Sequence, residues 1–397
     1  MKINRRSFIS STALATAAIG TGTLWSNRRG RSNSDLVLHE GSKHPDSFSI
    51  TPVVGDGKWI WSKPPEDGST GYLEPREFEV TTGIHFRGKG YACEIRGTTV
   101  APLEFPEQKI VDFKIETKGC DAKLIRLNET AAQLLLYAGQ IEAGQVVSAI
   151  AKYRMKLSKD YRGFSKDSFP ADQTPPPREQ RRRNEPPVVD LRFSKRTLGS
   201  SPGISLRDKE LKELSKELGT QGHPWDLAKR YYDWVWENIR GVHGDYTSVK
   251  EGIINRRGDC EERASVFIAL CRVAGIPARL VWIPSHNWAE IGLYDHQGKP
   301  HWVPIHTAAY SWFGWTGVHE LVLQKGDSVY IKSRRKSVRL IDDWYQLQGK
   351  RPEMSYTSTV QPLATEEGSD PGPGRREKLK SGRWKVGGGR QGSTRYR

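Results

Sequence analysis

Gly258-Asp259-Cys260-Glu261-Glu262-Arg263-Ala264, an apolar run to Cys271, and then His286-Asn287-Trp288-Ala289-Glu290 form the stretch that decides the fold of this 397-residue chain. The Gly-Asp pair interrupts any earlier helix. From Cys260 onward, Ala264, Phe267, Ile268 and Cys271 recur at helical spacing. Gly275 caps the C-terminus of that helix and Pro277 stops the chain from continuing it. Cys260 therefore falls in the first turn, where free N–H groups and the helix dipole favour an anion. A thiol nucleophile needs thiolate character and a base to take its proton. The helix start offers the first to Cys260, and His286 offers the second.

Beyond the helix, residues 278–283 read as a strand, and His286 opens a second that continues from Trp288 to Tyr294. Gln297-Gly298-Lys299-Pro300 turns the chain into a third, from His301 to His306. A Cys-bearing helix followed by antiparallel strands carrying His resembles the layout of the transglutaminase-like superfamily. The resemblance spans roughly 198–331, a third of the chain. It is carried by Gly258-Asp259-Cys260, the run from Leu270 to Arg279, His286-Asn287-Trp288-Ala289-Glu290 and Trp302-Val303-Pro304. It implies a papain-like triad in which Cys attacks a carboxamide, His shuttles the proton and Asp orients the imidazole. Cys260 and His286 match the first two positions. Where the family carries Asp, this chain reads Trp302-Val303-Pro304-Ile305-His306.

A neutral imidazole at His306 can accept a hydrogen bond from His286 but contributes no negative charge to an imidazolium. The substitution therefore implies weaker base catalysis, or a carboxylate supplied from elsewhere, for example Asp295 or Glu290. His306 stays open between third catalytic member and packing residue. Backbone N–H groups at the Cys260 helix start are the expected oxyanion donors. The carboxylates of Asp259 and Glu261 suit the helix terminus while opposing thiolate formation.

The whole chain is too long for one ordinary domain and predicts an α+β protein of two domains plus tails. Residues 1–26, with Arg5-Arg6 before an uncharged run to Trp25, resemble a twin-arginine export signal. Ala15-Thr16-Ala17 is a cleavage candidate, and retention as an N-terminal membrane anchor is the alternative. A polar segment follows at 27–51. Period-two alternation with glycine-containing turns then predicts an N-terminal antiparallel β-sandwich over 52–164. In it Val147, Ala149, Ala151, Tyr153, Met155 and Leu157 share one face. Residues 165–197, with Pro175-Pro176-Pro177 and Arg181-Arg182-Arg183, read as an exposed linker. This arginine run lacks interleaved aromatics, so a solvated hinge is preferred to nucleic-acid binding. The transglutaminase-like (papain-like) helix-plus-antiparallel-sheet domain is assigned to 198–350, and a basic disordered tail to 351–397.

The net charge of +16 is concentrated at the C-terminus, where 375–397 hold nine Lys/Arg and one Glu. Such a tail would meet anionic envelope polymers or lipid headgroups, or would serve solubility alone. The four cysteines leave a Cys93–Cys120 disulfide and two free thiols equally open. No spacing suits zinc, the chemistry requires no cofactor, and no acidic loop suits calcium.

Two functions follow. One is an exported cysteine enzyme of the periplasm or cell envelope, cutting or transferring protein or peptide amides through a thioester. The other is an envelope scaffold with the same fold and no turnover.

Overall fold

The structure, a computed structural model, describes residues 65, 67–173, 195–242, 246–284, 286–308 and 313–363, and backbone alone at 377–378 and 384–385. The expected export signal, the 27–51 segment, the Pro/Arg run of the linker and most of the basic tail lie outside the described residues. The elements run β1 (Gly71–Arg87), β2 (Ala92–Ala101), β3 (Gln108–Lys118), β4 (Asp121–Asn128), β5 (Ala131–Ile141) and β6 (Val146–Tyr161). Next come α1 (Lys209–Leu218), α2 (Pro224–Asn238), β7 (Arg240–Gly241), α3 (Val249–Asn255), β8 (Arg257–Gly258) and α4 (Cys260–Val273). After them lie β9 (Ala278–Ile283), β10 (His286–Tyr294), β11 (Pro300–Ile305), β12 (Gln324–Lys325), β13 (Val329–Ile331) and β14 (Lys336–Val338). The described chain then adds β15 (Trp344–Gly349), β16 (Glu353–Pro362) and the short pair Glu377–Lys378 and Trp384–Lys385.

Two four-stranded antiparallel sheets, ordered β16-β1-β6-β3 and β15-β2-β5-β4, make the sandwich. Alternation decides its core: Val147, Ala149, Ala151, Tyr153, Met155 and Leu157 all turn inward against Val80, Ile84, Leu134 and Leu136. Val111 and Phe113 do not follow, each remaining 48% exposed. Strand β3 is an edge, and its register against β6 shifts between Ile110 and Asp112, so its apolar side is only half covered.

The sequence boundary near 350 needs correction. Strands β15 and β16 return to the sandwich as outer strands of both sheets, and Tyr356 is buried in its core. Residues 353–362 are therefore folded, because an edge of β1 offers ten residues of antiparallel pairing to them. The helical domain is thus an insertion between the sixth and seventh strands of the sandwich.

In that domain β11-β10-β9-β12 form an antiparallel sheet, with α4 packed between it and the other helices. Twelve of the fourteen α4 residues are buried. A helix covered on all sides reads as apolar with no polar stripe, and α4 departs from this only at its ends, where each buried charge has a partner. At the C-terminal end Arg272 meets Asp327 at 2.8 Å, with side-chain exposures of 0% and 3%. Arg272 also donates to the carbonyls of Ala278 and Gly199 and to Ser201 Oγ. Gly275, with φ +78, then supplies the left-handed residue that ends the helix.

The two domains meet through polar ties and an apolar patch in which Phe105 of the sandwich packs with Val281, Ile283 and Trp288. Lys325 bridges Glu107 of the sandwich (2.6 Å) and Glu290 of β10 (2.8 Å). Arg162 donates to the carbonyl of Trp302 at 2.6 Å, and Trp315 stacks on Tyr161. Among the described residues no helix is long and apolar enough to cross a membrane.

Removing one partner of a desolvated ion pair leaves an uncompensated charge. Asp327→Ala should therefore cost about 3–5 kcal/mol in urea unfolding, whereas Arg272→Met/Asp327→Leu together should cost much less. A loss under about 1 kcal/mol for Asp327→Ala would show that this pair does not anchor the helix.

Candidate active site

Cys260 is the first residue of α4, as its spacing predicts, and is buried. Asp259 is the N-cap. Its Oδ1 accepts from the Glu261 N–H at 2.6 Å, and Glu262 Oε2 accepts from the Asp259 N–H at 3.1 Å, closing a capping box. Gly258 makes room for this: a Cβ there would lie 2.3 Å from the Glu262 Cβ. The order Gly-Asp-Cys-Glu-Glu is thus a local geometry that opens a helix with a thiol at its first position.

Asn287 Nδ2 donates to the Cys260 Sγ at 3.5 Å, and Asn287 is fully buried. Successive side chains of β10 alternate between the two faces of the sheet. Asn287 shares its face with Ala289 and Ile291, which join the α4 core, while Trp288 packs with Val281 and Ile283 on the other. Sequence reasoning gives Asn287 no role. Alternation from His286, read as the base, would have put Asn287 on the opposite face, so no local signal marked it.

His286 opens β10, and its ring stacks on His306 with centroids 4.9 Å apart. His306 also stacks on Trp288 at 5.6 Å. It follows directly on β11, whose Ile305 pairs with Ala289, and this register brings it beside His286. The structure therefore joins His286 to His306, and joins Cys260 to the residue next to His286. Burial depresses the His306 imidazole to about 3, so it is neutral at physiological pH.

Neither carboxylate considered as a substitute for the missing Asp can serve. Glu290 is roughly 13 Å along the strand from His286, and Asp295 roughly 30 Å, at about 3.3 Å per residue. Both are also engaged elsewhere. Glu290 meets Arg279 at 2.6 Å and Lys325 at 2.8 Å. Burial alone would raise its carboxyl, but these two cations hold it at about 2. Asp295 Oδ2 meets His301 Nε2 at 2.8 Å.

The acidic helix start is less anionic than its sequence implies. Burial, reinforced by the Glu262 and Glu261 carboxylates, pushes Asp259 up to about 9, so it holds its proton at pH 7. Glu261 meets the buried Arg339 at 3.2 Å. Glu262 accepts from the Thr247 N–H at 2.7 Å as well as capping Asp259. The expected opposition of Asp259 and Glu261 to a Cys260 thiolate is thereby largely cancelled.

Phe313 packs edge-on against Trp225 and Tyr232. None of the four cysteines forms a disulfide, and the Cys120 thiol donates to the Ser148 carbonyl at 3.1 Å. Among the described residues no group of three or more His, Cys, Asp or Glu is placed to hold a metal ion.

Asp259 also yields a pH dependence. Its folded value lies above its ordinary 3.8, so its stabilising contribution is complete below about pH 4 and is lost as pH rises towards 9. Asn caps a helix equally well without that cost. Asp259→Asn should therefore be more stable than wild type at pH 8.5 by at least about 1 kcal/mol in urea unfolding, a gain that shrinks at pH 5. An equal difference at both pH values would contradict the assignment.

The family model described as the transglutaminase-like superfamily matches residues 212–314. A solved structure from Cytophaga hutchinsonii, described as a "Putative Cysteine Protease", has a TM-score of 0.46 and 17% identity over 75% of this chain and 94% of that one. A second, from Parabacteroides distasonis and described as a "Putative Protease", has a TM-score of 0.24 and 11% identity over 58% of this chain and 43% of that one. No curated protein matches. Residues 212–314 thus resemble the transglutaminase-like superfamily.

Proposed function

We propose that this chain is an exported cysteine enzyme acting on protein or peptide amides through a Cys260 thioester. The observation that carries the proposal is Cys260 at a helix N-terminus, with Asn287 on its sulfur and the adjacent His286 stacked on His306. In this reading His286 takes the Sγ proton as the thiolate attacks the carboxamide carbon. The oxyanion is met by N–H groups of the helix start, and Asn287 Nδ2 is a further donor on the same side. His286 then protonates the departing amine. Water attacking the thioester gives hydrolysis, and a second amine gives transamidation.

His306 favours a second reading. A neutral, fully buried imidazole lends His286 no negative charge, which suits a fold that binds without turnover. Export through residues 1–26 to the periplasm or cell envelope, and contact of the basic tail with anionic polymers or lipid headgroups, belong to both readings.

Peptide-resolved alkylation of Cys260 with iodoacetamide across pH separates them. For the enzyme, Cys260 reacts with an apparent pKa well below the ordinary 8.5 of a thiol, and His286→Ala abolishes the depression. His306→Ala reads out whether that ring completes the site. A Cys260 that behaves as an ordinary or protected thiol in every variant, with Cys260→Ala as the blank, leaves the scaffold reading. For an enzyme, His306→Asp should raise the amide-cleaving or acyl-transfer rate at pH 7 at least about tenfold, since a carboxylate orients the imidazole and stabilises its charged form. An unchanged or lower rate in a folded variant would refute a triad role for this position.

A further inference from the structure

Arg339 lies on the segment that leads from β14 back to the sandwich and is 2% exposed. Its Nε meets Glu261 Oε1 at 3.2 Å and its Nη2 donates to Ser265 Oγ at 2.6 Å. Ser265 in turn donates to the carbonyl of Glu261. One guanidinium thus closes a ring over the first turn of α4, directly behind Cys260. The group is held from outside as well. It packs over the Tyr246 ring at 4.1 Å, its Nη1 donates to the Pro202 carbonyl at 3.4 Å, and its own carbonyl accepts from Gln324 at 2.9 Å.

The charges around the thiol make this placement consequential. The helix contributes Asp259, Glu261 and Glu262, and Arg263 turns away to the carbonyl of Ile239. The segment before α3 contributes Tyr246, the strands contribute His286 and His306, and the Arg272–Asp327 pair lies beyond Arg339. Asp259 holds its proton, and Glu262 is engaged by backbone N–H groups. Glu261 is the neighbour of Cys260 whose charge is met by a cation.

We propose that Arg339 is a positioning residue for Cys260: through Glu261 and Ser265 it fixes the first turn of the helix and cancels the adjacent carboxylate, so that one negative charge fewer opposes the thiolate. This rests on the cysteine-enzyme reading and deepens it. The strand-return topology places Arg339 there, which ties the nucleophile electrostatically to the segment that closes the sandwich.

The test is the pH profile of Cys260 alkylation by iodoacetamide in the full chain, resolved to the Cys260 peptide. Glu261→Gln keeps the side-chain shape and leaves Arg339 unbalanced. The apparent thiol pKa should fall by about one unit, a tenfold gain in thiolate at low pH. Arg339→Met should raise it, and Arg339→Met/Glu261→Gln should return it close to wild type. Opposite shifts with cancellation in the double variant are not produced by loss of packing alone. If Glu261→Gln and the double variant unfold at different urea concentrations from wild type yet keep its alkylation profile, Arg339 is a structural ion partner and the proposal is overturned. Should Arg339→Met fail to fold, those two variants decide. A wild-type Cys260 with an ordinary profile would instead overturn the enzyme reading, so the two failures are distinct.

Discussion

The structure depends on the burial of α4 along almost its entire length. A helix with twelve of fourteen residues out of solvent cannot shift without opening the core formed with β9, β10 and α2. Burial supplies rigidity, but it also strips water from every charge the helix carries. Desolvation of that kind is tolerated only where each charge is paired, protonated or capped. The ends of α4 use all three. Arg272 is paired with Asp327, Glu261 with Arg339, Asp259 retains its proton, and Glu262 folds back as a cap.

That arrangement bears on chemistry because the thiol occupies the same end of the helix. A dipole and free N–H groups favour an anion there, while nearby carboxylates oppose it. Three acidic residues flanking Cys260 would look hostile to a thiolate if all were ionised. Burial itself removes much of the hostility: it drives a proton onto Asp259 and makes the Arg339 partnership strong. The same burial leaves His306 neutral, so the element that suits the sulfur weakens the support of its base.

The sandwich contributes more than a platform. Its two outer strands come from beyond the helical domain, and Lys325, Arg162 and Trp315 join the two bodies. The chain cannot complete the sandwich without first passing Arg339 behind the helix start.

Local pattern was enough for much of this. Helical spacing after Gly258-Asp259-Cys260 placed the thiol in a first turn, and period-two alternation placed Val147 to Leu157 in a sheet core, because both signals arise from contacts within a few residues. The family likeness over 212–314 was legible for the same reason. What the tertiary structure alone decided are the facts that join distant segments. Asn287 reaches Cys260 across 27 residues, Arg339 reaches Glu261 across 78, and β16 pairs with β1 after an inserted domain. Glu290 and Asp295 were plausible partners for His286 until strand geometry put them out of reach. Proton positions on Asp259 and His306 belong to this second class too. A side chain's charge state is set by the solvent it loses and the ions it meets, and neither is written in the order of the residues around it.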